Sequence, residues 1–155
     1  MSYNAEREVV MTAKYAKDCK STVIPSLRYK DAHKAIDFLV AAFGFEKQAV
    51  YDGPDGTVMH AQLTFGNGMV MLGSAENGSE WSKTMALPED IGGRQTMTPC
   101  LIVSDAAAVY ATAVAAGAVI VMELAEMPYG GKAFGCSDPE GYRWSVGEYD
   151  PWASE

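Results

Sequence analysis

One pattern of residues occurs twice in this chain. Pro25, Leu27 and Asp31 lead into a helical stretch that ends at Gly44. Pro99, Leu101 and Asp105 lead into another that ends at Gly117. Asp31 and Asp105 lie 74 residues apart, and Gly44 and Gly117 lie 73 apart. Each copy closes with a glycine turn and a strand: Gly66-Asn67-Gly68 before residues 69–72, and Pro139-Glu140-Gly141 before residues 142–146. Self-similarity at a fixed period marks a duplicated supersecondary unit. The unit reads as βαβββ. The expected fold is therefore α+β: two βαβββ modules in pseudo-two-fold arrangement, with curved mixed sheets enclosing a cup. Any function is expected in the pocket between them.

Local chemistry supports the elements. Residues 22–29 read as a strand, and Pro25, which lacks an N–H, places it at an edge. Asp31 is a good N-cap, and Ala32, Ala35, Ile36, Leu39, Val40 and Phe43 recur at helical spacing up to the Gly44 stop. Residues 45–51 form the next expected strand, and Asp52-Gly53-Pro54-Asp55-Gly56 a strong turn. Residues 58–65 alternate, with Met59, Ala61, Leu63 and Phe65 on one face and His60, Gln62 and Thr64 on the other. That is a half-buried antiparallel strand, with residues 69–72 as its hairpin partner. In the second copy Asp105 caps an alanine-rich helix. Strands are expected over residues 119–124, 132–137 and 142–148. The organisation is then an N-terminal extension (residues 1–20, with Val9, Val10 and Met11 open to either a docked helix or a loose segment), a first module (21–73), a linker or lid (74–97) and a second module (98–152).

Composition excludes several classes. The net charge of −8 argues against nucleic-acid binding, which needs a basic footprint, and is compatible with a cationic ligand. Cys19, Cys100 and Cys136 form no CxxC pair, so neither a zinc ribbon nor a disulfide framework is indicated, and a reducing cytoplasm fits. No apolar run is long enough to span a membrane, and residues 1–20 carry no signal-peptide core.

The phrases Leu27-Arg28-Tyr29-Lys30-Asp31-Ala32, Ala42-Phe43-Gly44-Phe45 and Asp138-Pro139-Glu140-Gly141-Tyr142-Arg143-Trp144 resemble the vicinal oxygen chelate superfamily. That superfamily includes glyoxalase I, extradiol dioxygenases and the bleomycin- and fosfomycin-resistance proteins. The ending Tyr149-Asp150-Pro151-Trp152 is similar to its glyoxalase-like branch. The resemblance covers residues 21–152 and implies two modules around a cup, four ligand positions that often hold a divalent metal, and pairing of modules across a homodimer. Here those positions fall at Ile24, Leu72, Thr98 and Ser145, and a slip of one residue improves none of them. Nickel, zinc and iron need converging imidazole or carboxylate donors, so no metal or other cofactor is expected.

With Ile24 and Leu72 facing the cup, alternation adds Ser26, Arg28 and Val70 from the first module. The second contributes Thr98, Cys100, Ile102, Arg143, Ser145 and Gly147. The expected ligand-binding set is Ser26, Arg28, His60, Gln62, Trp81, Tyr129, Arg143 and Ser145. His60 is the one candidate general base; paired with Glu148 it is also a weak metal-site alternative. Arg28 and Arg143 could clamp a carboxylate or phosphate, or form salt bridges to Asp31 and Glu140. Trp144 is expected in the core and Trp152 at a domain or dimer edge; Cys100 reads as a buried thiol. The leading reading is a metal-free protein that holds an aromatic or cationic small molecule, acting as a homodimer without nucleic-acid or membrane partners. The alternatives are a metal-independent enzyme using His60, and a metal-dependent lyase or dioxygenase with displaced ligands.

Overall fold

A computed structural model describes residues 15–153; the first 14 residues, with Val9, Val10 and Met11, lie outside the described residues. Two βαβββ modules follow one another. The first is β1 (Ser26–Tyr29), α1 (Ala32–Phe43), β2 (Glu46–Asp52), β3 (Val58–Phe65) and β4 (Gly68–Ser74). The second is β5 (Cys100–Ile102), α2 (Ala106–Ala115), β6 (Val119–Glu126), β7 (Lys132–Ser137) and β8 (Arg143–Gly147). Each module forms a four-stranded mixed sheet, in the order β1-β4-β3-β2 and β5-β8-β7-β6, with the first strand parallel to the last. The fold class is α+β, as the repeat implies. No helix among the described residues is long and apolar enough to cross a membrane.

The helix boundaries follow from their caps. Asp31 accepts from the N–H of Lys34, and Asp105 from that of Ala108, at 3.1 and 3.0 Å. Gly44 and Gly117 end the helices with φ of 86° and 103°, a conformation that L side chains resist. β1 begins at Ser26, four residues later than the pattern suggested. Residues 75–99, which carry two short 3-10 turns (Trp81–Thr84 and Pro88–Ile91), are anchored rather than loose. Pro88 is buried against Gly141, and Glu89 pairs with Lys30.

Register settles which residues face where. Leu27 pairs with Leu72, and Leu72 with Ala61; Val70 pairs with Leu63, and all five are buried on the helix-bearing face. Leu72 and Val70 are therefore core residues, not cup residues. The reason lies in the second hairpin. Thr64 pairs with Met69 across four intervening residues, whereas Ser137 pairs with Arg143 across five. The extra residue sits in the turn, so the counterpart of Ser145 is Met71 rather than Leu72. A one-residue slip exchanges the two faces of a strand. Ile24 and Thr98 precede β1 and β5 altogether.

The modules meet through their helix-bearing faces and share one core. Trp144 of β8 lies against Phe43 and Phe45, with ring centroids 5.4 and 5.9 Å away, and the Thr112 hydroxyl donates to the Ala42 carbonyl. Trp144 is thus a core residue, as expected, but it packs at the end of the other module's helix. At the centre is Asp138. One carboxylate oxygen accepts from Tyr29 at 2.6 Å and from the Trp144 indole at 3.2 Å; the other accepts from the N–H groups of Glu140 and Tyr142. Glu140 in turn accepts from the N–H groups of Lys30 and Asp31, and Tyr142 donates to the Arg28 carbonyl.

Burial pushes the Asp138 carboxyl above its ordinary value, although its four donors pull the other way. The folded state then holds the proton more tightly than the unfolded chain. Stability from this group is complete below the ordinary aspartate range and falls as pH rises through the elevated value. Asp138→Asn keeps the shape but turns a donor toward donors. We expect a loss of about 1–3 kcal/mol in urea unfolding at neutral pH. The gap to the wild type should widen as the pH is lowered toward the aspartate range; a gap independent of pH contradicts this assignment.

Candidate functional site

The face of each sheet opposite its helix lies outside the shared core. On the first module it carries Ser26 and Arg28 from β1, Met71 and Gly73 from β4, and His60, Gln62 and Thr64 from β3. On the second, Cys100 and Ile102 of β5 pair with Ser145 and Gly147 of β8, with Gly135 and Ala133 of β7 beyond. The predicted site residues on the strands thus fall on these faces. They divide between the modules.

On the first face a glycine decides the arrangement. Arg28 pairs with Gly73, and its Nη1 lies 2.5 Å from where a Cβ on Gly73 would stand. The same point is 3.0 Å from the Met59 carbonyl. The guanidinium therefore lies across β4 toward β3. Its Nε is buried and has no hydrogen-bond partner among the described residues. The expected salt bridges are absent among those residues, because Asp31 caps α1 and Glu140 is held by two backbone N–H groups.

His60 sits beside this row. Its Nε2 lies 2.9 Å from Gln62 Oε1, and Gln62 donates onward to Gln48 at 2.6 Å. With the amide oriented so, His60 carries its proton on Nε2 and leaves Nδ1 as the basic atom. Tyr51 stacks on the ring at 6.2 Å with an interplanar angle of 23°. No carboxylate orients the imidazole among the described contacts. Glu148 is engaged elsewhere, accepting from the N–H groups of Ala106 and Lys132, and these donors hold its carboxyl below the ordinary value. The His60–Glu148 metal alternative is not assembled.

The second face carries a hollow of about 290 Å³. Ile102, Tyr129, Ala133, Ser145, Gly147 and Tyr149 line it, so second-module residues alone build it. Tyr129 and Tyr149 meet edge-on at 5.2 Å. Arg143 is tied to the Ser137 hydroxyl across β7. Cys100 is exposed on this face rather than buried; the buried thiol is Cys136, which burial pushes up to about 11. Ser26 lines a different crevice of about 400 Å³, walled by Met85 and Met97 of the connecting segment and by Tyr142. Trp81 is 64% exposed at the head of its turn, and Trp152 is 89% exposed.

The donor set does not fit a chelated metal. Met71 and Ser145 occupy the strand positions, and among the described residues no group of three or more His, Cys, Asp or Glu converges. Sequence reasoning reached Met71 and Gly73 only as one-residue slips from Leu72 and gave neither a place in the site. A tally of strand positions could have found both, once the five-residue turn was recognised.

Comparison with known proteins identifies the lineage. Residues 21–146 match the model of the Glyoxalase/Bleomycin resistance protein/Dioxygenase superfamily. The chain belongs to this superfamily. Uncharacterised proteins of Mycobacterium bovis and Mycobacterium tuberculosis are 36% identical to it over 124 residues, covering 80% of this chain and 80% and 72% of theirs. The crystal structure of TioX from Micromonospora sp. ML1 is 31% identical, with a TM-score of 0.66 over 84% of this chain and 99% of that one. TnmS3, an antibiotic-binding protein from Streptomyces sp. CB03234, shares the fold at 22% identity and a TM-score of 0.58, over 80% of this chain and 91% of its own.

The glutamine contact is testable at the histidine. Gln62→Leu should remove the acceptor that holds the proton on Nε2, and ring nitrogen chemical shifts should report a larger Nδ1–H population. An unchanged tautomer would mean that Gln62 does not orient the ring.

Proposed function

We propose that this protein binds a small organic molecule on the uncovered sheet faces without a divalent metal. The observation that carries the reading is the second-module hollow, with Ile102, Ala133, Gly147, Tyr129 and Tyr149 as its apolar and aromatic wall. Concave, mainly apolar surfaces with a few placed polar groups are where small ligands bind. The absence of a converging donor set among the described residues supports binding without metal. The superfamily contains resistance proteins, and one structural relative is described as antibiotic-binding. A metal-independent enzyme using His60 as base has less support, because the imidazole is oriented only by an amide.

We further propose that the working form is a homodimer. The modules use their helix-bearing faces on each other, and a second copy can set a second-module face opposite a first-module face to close a cup. Sedimentation at micromolar concentration should give twice the chain mass.

Ile102 is 44% exposed, so Ile102→Asp should leave thermal stability within about 0.5 kcal/mol of the wild type. It should weaken the uptake of neutral aromatic probes such as naphthalene by about tenfold or more, read by tyrosine fluorescence. Dialysis against a chelator should leave that uptake unchanged. Loss of uptake on chelation, restored by nickel, zinc or iron, would return the metal-dependent reading.

A further inference from the structure

We infer that the first-module face is an oxyanion seat: Arg28, laid across Gly73 beside His60, receives a carboxylate or phosphate group of the ligand. This rests on the small-molecule-binding reading and names the chemistry of one end of that molecule.

Three observations converge. First, Arg28 is only half-exposed and its Nε is buried without a partner among the described residues, while no carboxylate pairs with the guanidinium there. A buried donor left unsatisfied is destabilising, the more so when charged, so the free protein carries an arginine prepared for an acceptor it does not itself supply. Second, the acids around the module junction are committed. Asp31 caps α1, Asp138 holds Tyr29 and Trp144, Glu140 holds the Lys30 and Asp31 N–H groups, and Glu148 holds those of Ala106 and Lys132. None of them pairs with the Arg28 guanidinium. Third, Gly73 makes the seat. A side chain there would stand 2.5 Å from Nη1 and displace the guanidinium.

The repeat sharpens the point. The second module keeps the same scaffold, with Ile102 paired to Gly147 where Arg28 pairs to Gly73. There the site above the glycine is closed by the Ala133 methyl, 3.1 Å from the Cβ position. At the matched position one frame therefore presents a guanidinium in the first module and an isoleucine in the second, where Lys132 also lines the hollow. Where the proposed homodimer sets a second-module face opposite a first-module face, the matching ligand has an oxyanion at one end and an apolar or aromatic body. Arginine's planar fork suits such a group, because it offers two parallel N–H donors to a carboxylate or phosphate.

The test titrates isotope-labelled protein with sodium benzoate, inorganic phosphate and neutral benzamide while following the Arg28 Nε–H and the amides of His60 and Gly73. We expect a saturable shift with at least one anion at millimolar concentration and none with benzamide. Saturation by benzoate alone assigns a carboxylate; saturation by phosphate as well assigns a general oxyanion seat. Arg28→Lys should weaken the response by about tenfold, and Arg28→Met should abolish it in the His60 and Gly73 amides while the rest of the spectrum is kept. Should Arg28→Met fail to fold, Gly73→Ala gives the same reading by evicting the guanidinium. No saturable shift with either anion, an equal response to benzamide, or a response that survives Arg28→Met overturns the seat. Naphthalene uptake that persists in that event leaves the small-molecule reading intact; its loss removes both.

Discussion

A buried carboxylate joins the two halves of this protein. Asp138 sits in the turn between β7 and β8, yet it takes a hydrogen bond from Tyr29 of β1, 109 residues earlier in the chain. An ionisable group is buried at a cost unless its acceptors are filled, and here all four donors converge on it. The turn that holds Asp138 also presents Glu140 to the start of α1 and Tyr142 to the open side of β1. One five-residue loop thus holds the chain entering a helix, occupies a strand edge and centres a polar network within an aromatic core. The junction needs its tyrosine, tryptophan and two backbone amides in register at once. That requirement fixes how the modules lie on each other.

The geometry of function follows from that junction. Because the helix-bearing faces are spent on each other, the opposite faces need not pack against anything in the same module. Side chains there are released from the steric demands of a core. Duplication then supplies two equivalent surfaces, and divergence can act on each alone. The glycine of the last strand is kept in both, as Gly73 and Gly147, while the residue across from it is arginine in one and isoleucine in the other. A frame held constant by the core thus carries two unlike chemistries at matched positions.

Much of this was legible in the residues. The aspartate caps, the glycine stops and the alternation of β3 from His60 to Thr64 are local signals, set by one or two backbone contacts each, and they held. The faces of β4 were not legible. A glycine alignment of the two copies is correct through β7, but the turn that follows adds a residue, and only strand pairing shows where it is absorbed. That single residue moved Leu72 and Val70 from the presumed cup into the core and put Met71 in their place. Met59, expected on the same face as Ala61 and Leu63, is instead 42% exposed, where the β2–β3 pairing shifts register between Tyr51 and Asp52. Cys100 looked like a buried thiol because cysteine usually is one, yet the edge strand β5 leaves it outside. The salt bridges expected for Arg28 and Arg143 failed for one reason. Their nominal partners accept from backbone N–H groups instead, contacts that a sequence does not display.

Charge shows most clearly where whole-chain reasoning stops. A net charge of −8 suggests a cationic ligand. At physiological salt, however, exposed charges more than about 8 Å apart are largely screened, so the mean charge says little about one recessed point. What a ligand meets at the first-module face is set by the groups within a few ångströms, and the Arg28 guanidinium there has no carboxylate paired with it among the described residues. The acids nearest the module junction, Asp31, Asp138 and Glu140, each accept from backbone or core donors, and none of them pairs with Arg28. The net charge of a chain therefore does not set the charge that a ligand meets at one residue.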